Sequence, residues 1–263
     1  MDEGIFKVRL YGDSLALPRP GYVKFSERYI SLLCDWWKKQ EGVRSIELCD
    51  RSKSNSTVAH LFQQYADDNN FFGPAGDVLI IHCGIVDCAP RPVPRWMRNR
   101  IERLPSALRQ PAIKFLHDHR AQILRRTGGW RQLGPQEFRA IYRRWLAEAL
   151  NQFSRVYLIN IAPTNEATEA HSPGLSRSIV LYNEMIAELV SALNAENLFL
   201  IDVHQHIGDN LQEIDRYIVS QDGHHITALS NRLCSDEIKK HEARYFRSSL
   251  KMSGDRILNE AQG

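Results

Sequence analysis

The chain has 263 residues, 43% of them hydrophobic and 25% charged, with a formal net charge of +3. That length and apolar fraction suffice for one α/β domain over residues 1–263 and exclude a disordered chain, while so small a net charge selects no partner by itself. The longest apolar runs are too short to cross a bilayer, and the opening "MDEGIFKVRL" has no basic stretch leading into an apolar one, so no membrane span and a cytoplasmic location are expected.

In chain order, "IFKVRLYG" (5–12) alternates as a strand, and "YVKFSERYISLLCDWWKKQ" (22–40) repeats apolar residues at helical spacing. A second strand (43–49) and a second helix (57–68) follow, and then "VLIIHCG" (78–84), a nearly continuous apolar run of the kind buried on both faces of a parallel sheet. Residues 89–136 interrupt this alternation as a basic helical insertion or cap, with a helical stretch over 112–126. From Arg91 to Arg144 there are fourteen Lys or Arg residues against Glu102, Asp118 and Glu137, so the rest of the chain is net negative. The insertion is either a solvated face or a cap that attracts an anionic substrate. The alternation then resumes with a helix (138–153), a strand (155–162), a helix (176–196), a strand (198–203) and a last helix (227–247), leaving 252–263 as a tail. Five strands alternating with helices predict a three-layer α/β/α sandwich around a five-stranded parallel sheet, whose reactive groups collect beyond the carboxyl ends of the strands. Cys34, Cys49, Cys83, Cys88 and Cys234 are odd in number and contain no CxxC pair. They read as reduced, packed thiols rather than a disulfide frame or a zinc site.

Serine esterase chemistry needs a hydroxyl at a strand end, a histidine base, a carboxylate to orient it, and donors for an oxyanion. Ser14, in "GDS" at the end of the first strand, meets the first requirement by position. In "SQDGHHIT" (220–227), Asp222 and His225 are three residues apart, close enough to share one turn before the last helix. Each motif alone also fits an ordinary turn or a helix N-cap.

Together, "GDS" after the first strand and "DGxH" before the last helix resemble the SGNH/GDSL hydrolase superfamily over the whole domain apart from the insertion. The resemblance implies a flavodoxin-like sheet and a Ser14 nucleophile with Asp222 and His225, acting without cofactor or metal. It also implies an oxyanion hole drawn from Ser14, Gly84 and the amide at the second block's glycine position, here placed on Ser52, together with an asparagine side chain donated by the third block. Where the family's third block reads GxND, this chain reads "GIVD", with Gly84 and Asp87 in place and Val86 at the asparagine position. Valine cannot donate, and loss of one oxyanion donor costs about 3 kcal/mol of transition-state stabilisation. Arg91 in "GIVDCAPR" is the candidate replacement; it could instead clamp a substrate carboxylate or phosphate, or pair with Asp87 to hold the loop. This variant block is similar to that of SGNH-like proteins associated with bacterial surface polysaccharides. Asp13, Asp87, Arg91 and His224 are the candidate substrate contacts.

Several other clusters have simpler readings. His204 and His206, beside Asp202 and Asp209, read as a polar strand-end loop before they read as a metal site. Ser54, Asn55 and Ser56 read as caps of the second helix. The tryptophans read as core, with Trp96 and Trp130 in the insertion the best candidates for stacking on a substrate. The expected function is a serine esterase removing an acyl group, acetyl most simply, from a carbohydrate or another small ester. An acyltransferase on the same triad and a non-catalytic glycan-binding protein are the alternatives. No nucleic-acid-binding motif accompanies the arginines, so no nucleic-acid partner is expected.

Overall fold

Ile5–Gly12 form β1, exposed at its start and covered on both faces from Val8 onward. A computed structural model describes residues 4–260, without the side chains of residues 211 and 248–260. The other strands are β2 (Ser45–Asp50), β3 (Gly76–His82), β4 (Phe153–Ile159) and β5 (Leu198–Ile201), and the sheet order is β2-β1-β3-β4-β5 with every pair parallel. Period-two alternation sends Leu79 and Ile81 to one core and Val78 and Ile80 to the other. The predicted five-stranded α/β/α sandwich is therefore the architecture found.

One face of the sheet is covered by α1 (Tyr29–Trp37) and α12 (Ala228–Glu260), which bury Tyr29, Leu33, Trp37 and Ile238. The other is covered by α2 (Val58–Phe72), α7 (Pro135–Ala149) and α9 (Leu175–Leu193), around Tyr65, Trp145 and Tyr182. α12 is locked down by Glu242, which is fully buried. Its carboxylate accepts from Arg155 Nε at 2.5 Å and Tyr157 Oη at 2.6 Å on β4, and from Trp37 Nε1 at 2.9 Å on α1.

The expected helix over 22–40 is shorter, because Arg28 is extended and only 29–37 are α-helical. Thr57 caps α2 by accepting from the His60 amide, so Ser54, Asn55 and Ser56 lie in the loop before the cap. The single helical stretch expected over 112–126 is two helices, since the backbone breaks at His119; residues 89–136 hold α3's successor loop and then α4 (Arg95–Glu102), α5 (Ser106–Asp118) and α6 (Arg120–Thr127), where α3 is Ile85–Cys88. Besides α3, three short helices were not expected: α8 (Glu166–His171), α10 (Val203–Gly208) and α11 (Ile214–Tyr217). Helical backbone continues through Glu260 where a tail was expected, and residues 261–263 lie outside the described residues. None of the five cysteines is in a disulfide, and no described helix is long and apolar enough to cross a membrane.

The chain winds outward from β1 to β2 in one direction and through β3, β4 and β5 in the other. The switch point lies between the ends of β1 and β3, where a doubly wound sheet opens a crevice. Gly12 and His82 end those two strands, and Ser14 follows Gly12 by two residues.

Candidate active site

The turn carrying Ser14 is shaped by its neighbours in the GDS triplet. Gly12 is needed for close approach, since a Cβ there would lie 2.4 Å from that of Ala16. The Asp13 amide donates to the His82 carbonyl at 3.0 Å, tying the turn to the end of β3. Its carboxylate is fully buried and accepts from the amides of Leu15 and Gly84, each at 2.9 Å. Burial pushes the Asp13 carboxyl up to about 6, against the pull of these amides. Asp13 was expected among the substrate contacts, but its buried carboxylate is taken up by these two amides and does not reach the cleft. Asp13 is the acceptor on which the Ser14 turn and the loop after β3 converge. The Ser14 amide itself donates to no group among the described residues.

The second half of the site is the loop before α12. Gly223 adopts φ +64, and a Cβ there would strike Asn165 and Thr168. The carbonyl of Gly223 accepts from the Asn165 amide at 3.0 Å and Thr164 Oγ1 at 2.7 Å, and that of Asp222 from Thr168 Oγ1 at 3.0 Å. So held, Asp222 Oδ2 lies 3.0 Å from His225 Nδ1, while Oδ1 accepts the amides of His225 at 3.1 Å and His224 at 3.3 Å. Burial favours the protonated acid, but the bonds from the His225 ring and amide outweigh it and hold Asp222 well below the usual carboxylate range. His224 faces the same cleft, its Nδ1 2.7 Å from the Asp222 carbonyl, and burial pushes its imidazole down to about 4.

Arg19 was not singled out from the sequence. Its Nη2 lies against both ring nitrogens of His225 and 3.5 Å from Asp222 Oδ2. With Nδ1–H directed at Asp222, the lone pair is on Nε2, and a guanidinium can only donate to it. No hydrogen bond joins Ser14 to His225; the structure brings Ser14 to the same cleft as Asp222 and His224, with Arg19 across the His225 ring. Asp222, His224 and His225 could supply three ligand atoms within 4.8 Å of one another, and the Arg19 guanidinium lies against two of these residues, Asp222 and His225.

The cleft measures about 640 Å³ and is lined by Ser14, Asn55, Val86, Arg91, Arg120, His171, Asp222 and His224, among others. Two of the expected oxyanion amides are already engaged. Gly84 donates to Asp13, and Ser52 to Asp50 Oδ1 at 2.9 Å. The residue that reaches the cleft from the second block is Asn55, three positions on, at φ +59. Asparagine is among the few residues that tolerate this left-handed conformation, and that was the available sequence signal.

Asp87 is likewise no substrate contact. It is fully buried, and its Oδ2 accepts the Val58 amide at 3.0 Å, fastening α3 to the first turn of α2. Burial pushes its carboxyl up to about 8. No ion pair joins it to Arg91, whose loop is held instead by paired backbone bonds with Trp130 at 2.8 and 2.9 Å. The Arg91 side chain does reach the cleft. Trp130 and the exposed Trp96 do not line it, and Asp202 is spent as the N-cap of α10.

The sequence matches no protein-family model and no curated protein. Solved structures do match. A lipase/acylhydrolase from Enterococcus faecalis shares 16% identity over 90% of this chain and 96% of its own, with a TM-score of 0.57. A lipolytic protein of the G-D-S-L family from Veillonella parvula shares 12% over 89% and 97%, at 0.53. This is the fold of the SGNH/GDSL hydrolases. An acetylxylan esterase from Geobacillus stearothermophilus also has it, at 15% identity over 91% of this chain and 95% of its own, with a TM-score of 0.57. On the SGNH/GDSL frame, the GDS turn and the DGHH loop of this chain meet at the carboxyl ends of the strands.

Proposed function

We propose that this chain is a serine ester hydrolase of the SGNH/GDSL type that removes an acyl group, acetyl in the simplest case, from a carbohydrate. The observation that carries the reading is the 3.0 Å Asp222–His225 pair beside the cleft that Ser14 lines. The fold shared with acylhydrolases and an acetylxylan esterase supports it.

Withdrawal of Arg19 frees His225 Nε2 to take the proton of Ser14 as Oγ attacks the ester carbonyl. Asp222 holds the imidazole in the required tautomer and stabilises the imidazolium. The tetrahedral oxyanion faces the open Ser14 amide and Asn55, which supplies a donor where Val86 has none. Collapse expels the sugar alkoxide, which takes the proton from His225 and leaves an ester on Ser14. Water, deprotonated by His225, then attacks this acyl-enzyme; the acyl–Oγ bond breaks, His225 returns the proton to Ser14 Oγ, and the carboxylic acid leaves.

The test is hydrolysis of short acyl esters and acetylated xylo-oligosaccharides by wild type, Ser14→Ala and His225→Ala. Each substitution should lower kcat by about 10³-fold or more. Equal rates in all three would overturn the reading. Val86 and the engaged amides of Ser52 and Gly84 favour a second reading, a glycan-binding protein without turnover. That reading expects saccharide binding with no acid released by wild type.

A further inference from the structure

We propose that the cleft beside Ser14 contains a subsite for a fixed anionic group on the acylated carbohydrate, a carboxylate or a phosphate, held by Arg91 and Arg120. This rests on the esterase reading for the identity of the substrate, but not for the existence of the subsite.

Both guanidiniums line the cleft and both are half-buried. Neither has a carboxylate within ion-pair distance among the described residues. Arg120 is fixed by neutral acceptors. Its Nη2 donates to the Pro90 carbonyl at 2.6 Å and Ser172 Oγ at 2.9 Å, and no partner engages Nη1. Arg91 makes one long bond, from Nη2 to the Val86 carbonyl at 3.4 Å, and its Nε is buried without a partner. Burial lowers the pKa of both, and like charge adds to it, from Arg98 on Arg91 and from Arg91 on Arg120.

The nearby acids do not neutralise this wall. Asp87, behind Arg91, keeps its proton to about pH 8. Asp222 is committed to His225 and Arg19. Half-buried cations held in place without counter-charge are costly unless a ligand completes them. The planar fork of arginine matches a carboxylate or phosphate with two parallel hydrogen bonds. A purely structural Arg120 would be satisfied by Pro90 and Ser172, but that leaves the unpaired Arg91 beside it unexplained.

The experiment compares wild-type kcat/KM on pairs with and without the anionic group. One pair is acetylated glucuronate against acetylated glucuronamide, and the other acetylated glucose 6-phosphate against acetylated glucose. At least one anionic member should be preferred by about tenfold or more, and the preferred pair identifies the anion. Arg120→Gln should bring that ratio down to near one. In parallel, calorimetry with glucuronate, glucose 6-phosphate and glucose reads the subsite without turnover, and an anion should bind more tightly than glucose. Equal kcat/KM within both pairs, with Ser14→Ala inactive on all four, would overturn the anion subsite and leave the esterase reading intact. No turnover, with anion-selective binding lost in Arg120→Gln, would overturn the esterase reading and leave the subsite. Equal binding of all three saccharides would also overturn the subsite.

Discussion

Asn55 occupies a backbone conformation that most side chains avoid, at the rim of the cleft that Ser14 lines. It is the one uncharged side chain there from the second block, on a frame whose third block has valine where an amide side chain was expected. Replacing it by alanine should lower kcat by about 10²-fold, the usual effect of losing one oxyanion donor, with KM little changed. A rise in KM alone would assign Asn55 to substrate binding instead. At this scale the sequence was an uneven guide. Ser14, Asp222 and His225 could be found because each lies in a short motif. Arg19 could not, because its contact with His225 joins residues far apart in the chain. The engagement of Gly84 by Asp13 was hidden for the same reason, since it is a tertiary hydrogen bond and leaves no local pattern.

Elements were more legible than contacts. The buried strands announce themselves by apolar runs, and the long helices by spacing, because both patterns answer to the two cores of one sheet. Boundaries were set by events that periodicity does not register, such as the extended Arg28 before α1, the Thr57 cap of α2 and the break at His119. α12 shows what secures an element once formed. Its Glu242 is buried among Arg155, Tyr157 and Trp37. Glu242→Leu would strand the buried Arg155 guanidinium, and unfolding in urea should show a loss of about 3–5 kcal/mol. Adding Arg155→Leu to the same chain should recover most of that loss, because the cost lies in the unpaired charge. A single variant as stable as wild type would mean that α12 is held by its apolar face alone.

Among the described residues, two carboxyls are held protonated by burial to unusual pH, Asp13 to about 6 and Asp87 to about 8. Unfolded, both would lose their protons near pH 4. The folded state therefore binds more protons over that interval. The resulting stability is fully present below about pH 4 and is lost as pH rises through the folded values. Asp87→Asn keeps the acceptor for the Val58 amide and removes the larger titration. Between pH 4 and 8, wild type should lose stability relative to this variant by on the order of a few kcal/mol, read from denaturant unfolding across pH. A constant difference would place the Asp87 carboxyl in the ordinary range.

Asp13 has a consequence for which substitutions the GDS turn can bear. Two oxygens of one carboxylate receive amides from two separate loops, one from the turn itself and one from the end of β3. Asparagine, nearly identical in shape, brings one oxygen and one NH2, so one of those amides would meet another donor. Glutamate would add a methylene in a space with no exposure to solvent. The middle residue of the triplet is thus fixed by how two loops are joined, and the position of the serine is inherited from that joint.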